Sequence, residues 1–505
     1  MKRSMLQKVQ VCVFAVAVLA CALTLTHASR ASLKTMSSQD GPATPPALEA
    51  RIKRVENGLL PPAKIKGEPT TGMKLLDRMQ FYKAPAVSIA VINDGRFEWA
   101  RAYGTLEAGG KVPATIMTVF QAASLSKPVT ALAALSLVQQ RKLDLDTDVN
   151  GYLKSWQVPD TEFTKTQKVT LRRILSHSSG LTVPGFIGYP ADAPLPTVLQ
   201  ILDGTPPANS QPIRVDMVPG TKFRYAGGGY VVLQQLLTDV SGKPFPDLLD
   251  QLVFKKLNMD HSTFLDPLPE ELASDVGAGH LPDGQVIKGG HFRNPELAPA
   301  GLWTTPTDLA KLVLEIQNSL HGKSGKVLSP EMTRQMLTPQ IENSGLGLFI
   351  DGTDRARRFT HTGSNVGFKS YLVGYFESGQ GAVVMTNSEN GAQLILEVLR
   401  SIAAEYGWPD FRMKERVIAK VDPSIYDAYV GEYEVAPGLI LTVTREGDKL
   451  FSQSPGQPRS EMLPESETSF FLRDIDAQFT FVREGRQIVR VVIRRGREFQ
   501  ARKIK

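Results

Sequence analysis

Apolar positions along the chain fall into four regimes. The first is a nearly uninterrupted apolar run from Val11 to Leu25, preceded by Lys2, Arg3 and Lys8 and followed by Thr26-His27-Ala28. The second, from Ser29 to about Pro46, is rich in Ser, Ala, Pro and Thr, a composition that makes a flexible tether. A long body follows in which helical and strand periodicities alternate. Beyond about Lys420 only short alternating runs separated by turn residues remain, the pattern of a small β domain.

Within the body, a short helix is expected from Pro46 to Gly58, stopped by Gly58 and Pro61-Pro62. The runs Ala86 to Ile92 and Arg96 to Tyr103, joined by Asn93-Asp94-Gly95, predict a hairpin. Val129 to Val138 is apolar on every side and reads as a buried helix. Pro128 is tolerated only in a first helical turn, so that helix starts close to Ser124. Further helices are expected at Thr170 to Leu175, Tyr230 to Val240, Phe245 to Leu257, Pro306 to Leu320 and Ala392 to Tyr406. Thr305, Pro306 and Asp308 together mark a helix start. Strands are expected at Leu346 to Ile350, Lys369 to Phe376 and Ala382 to Met385. Strands at both ends and helices between them predict an α+β fold, an antiparallel sheet built from remote segments with helices against it and an all-helical region, followed by the C-terminal antiparallel β domain.

Composition narrows this picture. The 505 residues, 42% apolar and 22% charged, describe a globular chain of more than one domain. The expected order is a signal peptide at 1–28, a linker at 29–46, a folded body at 47–415 and a β domain at 420–505. An uncleaved anchor helix, or a lipoprotein reading through Leu19-Ala20-Cys21, is the alternative for the leader. Both cysteines, Cys12 and Cys21, lie in that leader, so the mature chain rests on its core rather than on disulfides. An excess of seven positive charges without an aromatic-interleaved basic block speaks for solubility and gives no reason to expect nucleic acid as a partner. The basic C-terminal residues Arg490, Arg494, Arg495, Arg497, Arg502, Lys503 and Lys505 read as a solvated strand face. Leu143 to Asp148 lacks the central Gly and terminal Glu of a calcium loop, and no His-x-His or His-Glu-x-x-His spacing occurs, so neither a metal nor another cofactor is expected.

The chemistry centres on Ser124 and Lys127. Three apart at a helix start, they share a face, and the amine reaches back towards the hydroxyl. A serine is a weak nucleophile until a base takes its proton, and a buried lysine at the positive helix end can be that base. Free N–H groups at the same end would stabilise an oxyanion.

About a hundred residues later come Phe223-Arg224-Tyr225-Ala226-Gly227, and further on Phe359-Thr360-His361-Thr362-Gly363-Ser364. With Ser124-x-x-Lys127 these resemble, in order and relative spacing, the three motifs of the serine β-lactamase and penicillin-binding-protein superfamily, in its class C-like branch. Leu175 to Leu181 and Ala300 to Pro306 add to the likeness, which covers about Leu75 to Tyr406. The resemblance implies a β-lactamase/transpeptidase-like fold, with Ser124 as acylated nucleophile and Lys127 as base or relay. It makes Tyr225 a proton carrier whose phenolate cationic Lys127 would favour. It places His361, Thr362, Gly363 and Ser364 on a strand flanking the site. There Gly363 would let substrate approach the backbone, and the Ser364 and Ser124 N–H groups would form the oxyanion hole. Which of Lys127 and Tyr225 is the base stays open.

Two departures shape the expectation. Gly227 stands where the family has an asparagine that serves a substrate acylamino group, and His361 stands where it has a lysine that carries permanent charge. The expected activity is therefore an exported serine hydrolase, an esterase or D-amino-acid peptidase acting on a small ester, amide or peptide. A true β-lactamase or D-alanyl-D-alanine carboxypeptidase, and a penicillin-binding or scaffold protein without turnover, are the alternatives. Membrane contact is expected only through an uncleaved leader, and oligomeric state stays open. His177 reads as structural, and Trp303 as core at the edge of the acyl pocket.

Overall fold

A computed structural model describes residues 44–505 apart from 437, 456–458, 486 and 496. The leader at 1–28 and nearly all of the linker at 29–46 lie outside the described residues. No helix among the described residues is long and apolar enough to cross a membrane.

In chain order the body comprises α1 (Pro46–Glu56), β1 (Ala63–Ile65), α2 (Leu75–Phe81), β2 (Ala86–Asn93), β3 (Arg96–Gly104), α3 (Ser126–Gln139), α4 (Gly227–Ser241), α5 (Leu297–Ala300), α6 (Pro306–Leu320), β4 (Phe349–Asp351), β5 (Arg358–Asn365), β6 (Phe368–Tyr375), β7 (Gly381–Thr386), α7 (Gly391–Tyr406) and β8 (Lys414–Arg416). The tight turn at Asp94 and Gly95, both with positive φ, closes β2 onto β3. β2 is buried over its first seven residues because β3 and β7 flank it and helices cover both faces. The sheet runs β3-β2-β7-β6-β5-β4, so a hairpin from the start of the body is zipped onto strands that begin some 250 residues later.

Two apolar layers sandwich this sheet. One face carries α3, α4, α6 and the rest of the helical region, the other α1, α2 and α7. α3 is buried at every position from Ser126 to Leu137, which accounts for its apolar sequence on all sides. The expected helix at Phe245 to Leu257 continues through a widened turn at Asp250–Phe254.

The strand expected at Leu346 to Ile350 is shorter, because Gly345 to Gly347 pack down onto the helical layer. Leu346 N–H donates to Met336 O, Gly347 N–H donates to Leu175 O, and a Cβ on Gly347, whose φ is +92°, would lie 2.4 Å from Ala131 Cβ.

The C-terminal region is a closed antiparallel barrel of β9 (Gly431–Ala436), β10 (Leu439–Glu446), β11 (Lys449–Gln453), β12 (Ser460–Pro464), β13 (Ser469–Leu472), β14 (Gln478–Glu484), β15 (Gln487–Arg495) and β16 (Arg497–Lys503), with β16 pairing back onto β9. Its interior holds Tyr433, Val443, Leu450, Phe470, Phe481 and Val491. The alternating pattern does not predict β12, a five-residue strand ending in Pro464 whose apolar Met462 and Leu463 are adjacent, or β16, which is mostly polar and charged. Both owe their strand state to paired neighbours on each side. A small seam of Ala63, Ile65, Leu463 and Phe471 joins the barrel to β1, which pairs in parallel with β8.

Candidate active site

Ser124 sits in a short 3₁₀ turn, Ala123–Leu125, that runs directly into α3. It is partly exposed, while Ala123 and Leu125 on either side are buried. Ala123 has φ +52°, an uncommon conformation for a residue with a side chain. Four bonds hold the turn in it: Ala122 N–H donates to Leu302 O (2.8 Å), Ser370 Oγ to Ala122 O (2.9 Å), Ser126 Oγ to Ala123 O (2.6 Å), and Leu302 N–H to Ser126 Oγ (3.0 Å). The two-residue strand Phe120–Gln121 pairs with Trp303–Thr304 just before it.

Lys127 Nζ lies 3.0 Å from Ser124 Oγ and donates to Pro299 O at 2.8 Å. Its side chain is buried, and burial alone pushes the ammonium down to about 7. Near neutral pH a large fraction of the amine is free, with its lone pair available for the serine proton.

Tyr225 is the last-but-one residue before α4. Lys127 Nζ lies 5.0 Å from the centre of its ring, and its hydroxyl interacts with Ser124. Burial raises the phenol to about 12, only partly offset by the Ser124 interaction. This corrects the expectation of a phenolate: with Lys127 itself desolvated, no fixed cation is left to favour ionisation, and the hydroxyl stays protonated.

The third motif lies on β5. Its Gly363 is required by the chain's own packing. A Cβ there would sit 2.2 Å from Ala122 O and 2.1 Å from Ser370 Oγ, so only glycine allows β5 to press against the nucleophile turn. Asn365 Nδ2 ties the same strand to Gln121 Oε1 at 2.8 Å and to Ala300 O at 3.2 Å.

His361 is buried beside Tyr225 (ring centres 6.4 Å) and Phe349 (5.4 Å). Burial and the Lys127 charge push it down to about 3, so it is a neutral imidazole at physiological pH. Its Nδ1 lies 2.7 Å from Thr362 O, which assigns the proton to Nδ1 and leaves Nε2 as a buried acceptor without a partner. By strand alternation the exposed side chains of Thr362 and Ser364 point away from the face that carries His361 and Gly363, so what Ser364 can offer the site is its backbone.

β4 covers only Arg358, Phe359 and Thr360 of β5, and among the described residues no strand lies beyond Thr362 to Asn365 on that side.

His177, read from sequence as structural, is in the cluster. Its ring lies 4.2 Å from that of Tyr225, its Nδ1 accepts from Ala226 N–H at 3.2 Å, and burial first, then Lys127 and His361, drive its pKa well down. It fixes Tyr225 from behind, and its φ of +55° is the trace that a Ser/Gly-rich turn left in the sequence. Pro299, Asn365 and Phe349 carried no sequence signal. Trp303 is core, against His291 and Phe368.

Comparison with known proteins identifies the family. The sequence matches the family model for beta-lactamase over residues 74–404, and that for a domain of unknown function, DUF3471, over residues 415–505. It is 25% identical over 437 residues to a penicillin-binding protein of Bacillus subtilis, covering 78% of this chain and 89% of that one. It is 23% identical over 250 residues to teichoic acid D-alanine hydrolase of Staphylococcus aureus, covering 50% of this chain and 57% of that one. In fold it is similar to the octameric penicillin-binding protein homologue of Pyrococcus abyssi, with a TM-score of 0.57 and 22% identity over 85% of this chain and 98% of the other. With the family model spanning well over half of its length, the chain belongs to the beta-lactamase family and is a serine hydrolase.

Proposed function

We propose that the protein cleaves a small ester or amide through an acyl-enzyme on Ser124, with Lys127 as the base. The observation that carries this reading is the buried Lys127 amine, 3.0 Å from Ser124 Oγ and brought down to about 7. In the first step the Ser124 proton passes to Nζ as Oγ bonds to the carbonyl carbon. The oxyanion would be met by the Ser124 and Ser364 N–H groups, each such donor contributing about 3 kcal/mol to the barrier. Protonated Tyr225, held by His177, relays a proton to the departing alcohol or amine, and Lys127 restores it. Water then attacks the acyl-serine, again with Lys127 as base, and frees the acid.

Neutral His361 and the bare Gly227 supply, at their own positions, neither a fixed cation for a carboxylate nor an amide for an acylamino group, which favours an esterase over a β-lactamase. The relative named as a D-alanine hydrolase adds support for ester or amide cleavage. We further propose export, with 1–28 removed as a leader, 29–46 as tether, 47–415 as the catalytic body and the region from 420 as an accessory domain. Intact mass of the mature chain tests the cleavage.

The mechanism is tested with a fluorophosphonate probe and p-nitrophenyl acetate. Wild type should label at Ser124 and turn over, and Ser124→Ala should lose both, turnover by a factor on the order of a million. Hydrolysis retained in Ser124→Ala overturns the assignment. Stoichiometric acetylation without turnover would mark a binding protein instead.

A further inference from the structure

Gly227 has no side chain, and the place one would take is filled. A Cβ built there meets Phe186 Cε2 at 3.1 Å and Pro184 O at 3.2 Å. The Phe186 ring therefore stands against the first turn of α4, two residues from Tyr225, packed at its base on the helical layer but only partly buried.

The segment that delivers this ring is anchored at both ends. Gly228 N–H donates to Val183 O at 2.9 Å and Gly227 N–H to Pro184 O at 3.2 Å. At the far end Tyr189 and Arg293 exchange backbone bonds of 2.8 and 2.7 Å, and Asn209 Nδ2 donates to Gly188 O at 2.9 Å. Between the anchors the tip is Gly185-Phe186-Ile187-Gly188, two large apolar residues flanked by glycines, with Ile187 62% exposed. Val183 holds φ +63°, which is a true outlier for a β-branched residue. Such a conformation persists only where its surroundings enforce it, and it marks sites whose geometry is used.

We infer that Phe186 is the specificity-determining residue of this hydrolase: its ring, seated over Gly227, forms an aromatic wall that selects substrates with an apolar acyl chain. This rests on the acyl-enzyme reading above. With the p-nitrophenyl leaving group held constant, kcat/KM reports the acylation half-reaction, so its change with acyl chain length isolates what the ring does to the acyl group. A ring offers that group dispersion and desolvation and offers no hydrogen bond, so an amide on the carbon next to the carbonyl would lose its water contacts unrewarded. Discrimination of this kind is worth about one to two orders of magnitude in kcat/KM.

The test compares kcat/KM for p-nitrophenyl hexanoate, p-nitrophenyl acetate and the p-nitrophenyl ester of N-acetylglycine in the full mature chain. Wild type should prefer hexanoate over the N-acetylglycyl ester. In Phe186→Ala the hexanoate-to-acetate ratio should fall about tenfold or more, and in Phe186→Leu by less. Phe186→Ala with Gly227→Asn should shift preference towards the N-acetylglycyl ester, because the space vacated by the ring then admits an amide side chain. If Phe186→Ala does not fold, the Phe186→Leu ratio decides. A hexanoate-to-acetate ratio that changes less than twofold, or a change seen only when the alcohol chain is varied with acetate held constant, overturns the inference. Acetate hydrolysis that survives in Ser124→Ala overturns the acyl-enzyme reading instead, and the two failures are distinct.

Discussion

Two buried sites, one on each face of the central sheet, treat charge in opposite ways. On the α7 face, Glu397 takes both Arg78 Nε (2.8 Å) and Nη2 (2.7 Å), and the Tyr82 hydroxyl at 2.7 Å. Burial acts to lower the Arg78 guanidinium, but the bonds and charge of Glu397 outweigh it and hold the group above its ordinary value. On the α3 face Lys127 is deeper than Arg78, its partners are a hydroxyl and a carbonyl, and its pKa falls to about 7. Glu296, at the start of α5, repeats the pattern with opposite sign. Neither oxygen is hydrogen-bonded, the Tyr189 hydroxyl lies close without closing a bond, and burial raises the carboxyl to about 7. The Arg78–Glu397 pair is a structural joint between α2 and α7. Lys127 and Glu296, without an ionic partner, keep a protonation that is free to change, which chemistry requires and stability does not favour.

Lys127→Met should separate these roles most sharply. Turnover should fall by several orders of magnitude, close to the loss in Ser124→Ala if base and nucleophile act as a unit, while the folded state gains up to a few kcal/mol. The sign follows from proton counting. Between pH 7 and 10.5 the folded wild type binds fewer protons at this lysine than the unfolded chain does, so its stability relative to the variant rises through that window. Urea melts at pH 7 and pH 10 measure it, and a gap that does not narrow as pH rises contradicts the assignment.

On the other face, Glu397→Gln should cost about 3–5 kcal/mol by stranding Arg78. The kcat of molecules still folded should not change, as read by active-site titration alongside thermal melts.

The pH profile comes next: log kcat/KM should climb with slope one below pH 7 and level off above it. His361, at about 3, should add no step between pH 5 and 8. Smallest of all, breaking the Arg473–Glu68 pair between barrel and body with Arg473→Ala should leave the thermal melt nearly unchanged, since both side chains are over 40% exposed.

The elements legible in the sequence were those whose burial is uniform or whose turn chemistry is explicit. α3, buried on all sides, and the β2–β3 hairpin, with its Asn-Asp-Gly turn, are examples. β12 and β16 were not, because the apolar residues of β12 are adjacent, β16 is mostly polar and charged, and the barrel's closure, a non-local fact, makes them strands. Ser124, Lys127, Tyr225 and His361 could be picked out as motifs, and the structure brings them into one cluster. Their protonation could not be read, since it depends on depth. Nor could the part played by His177, which comes from a ring contact between residues 48 positions apart.

The sheet's strand order carries a last consequence. The hydroxyl–amine pair is encoded before residue 130, yet the strand that presses on its turn, and the hairpin-to-β7 seam that steadies that strand, are completed only by residue 386. The site can therefore be completed only once about three-quarters of the chain has been made, and contacts so distant in sequence close slowly.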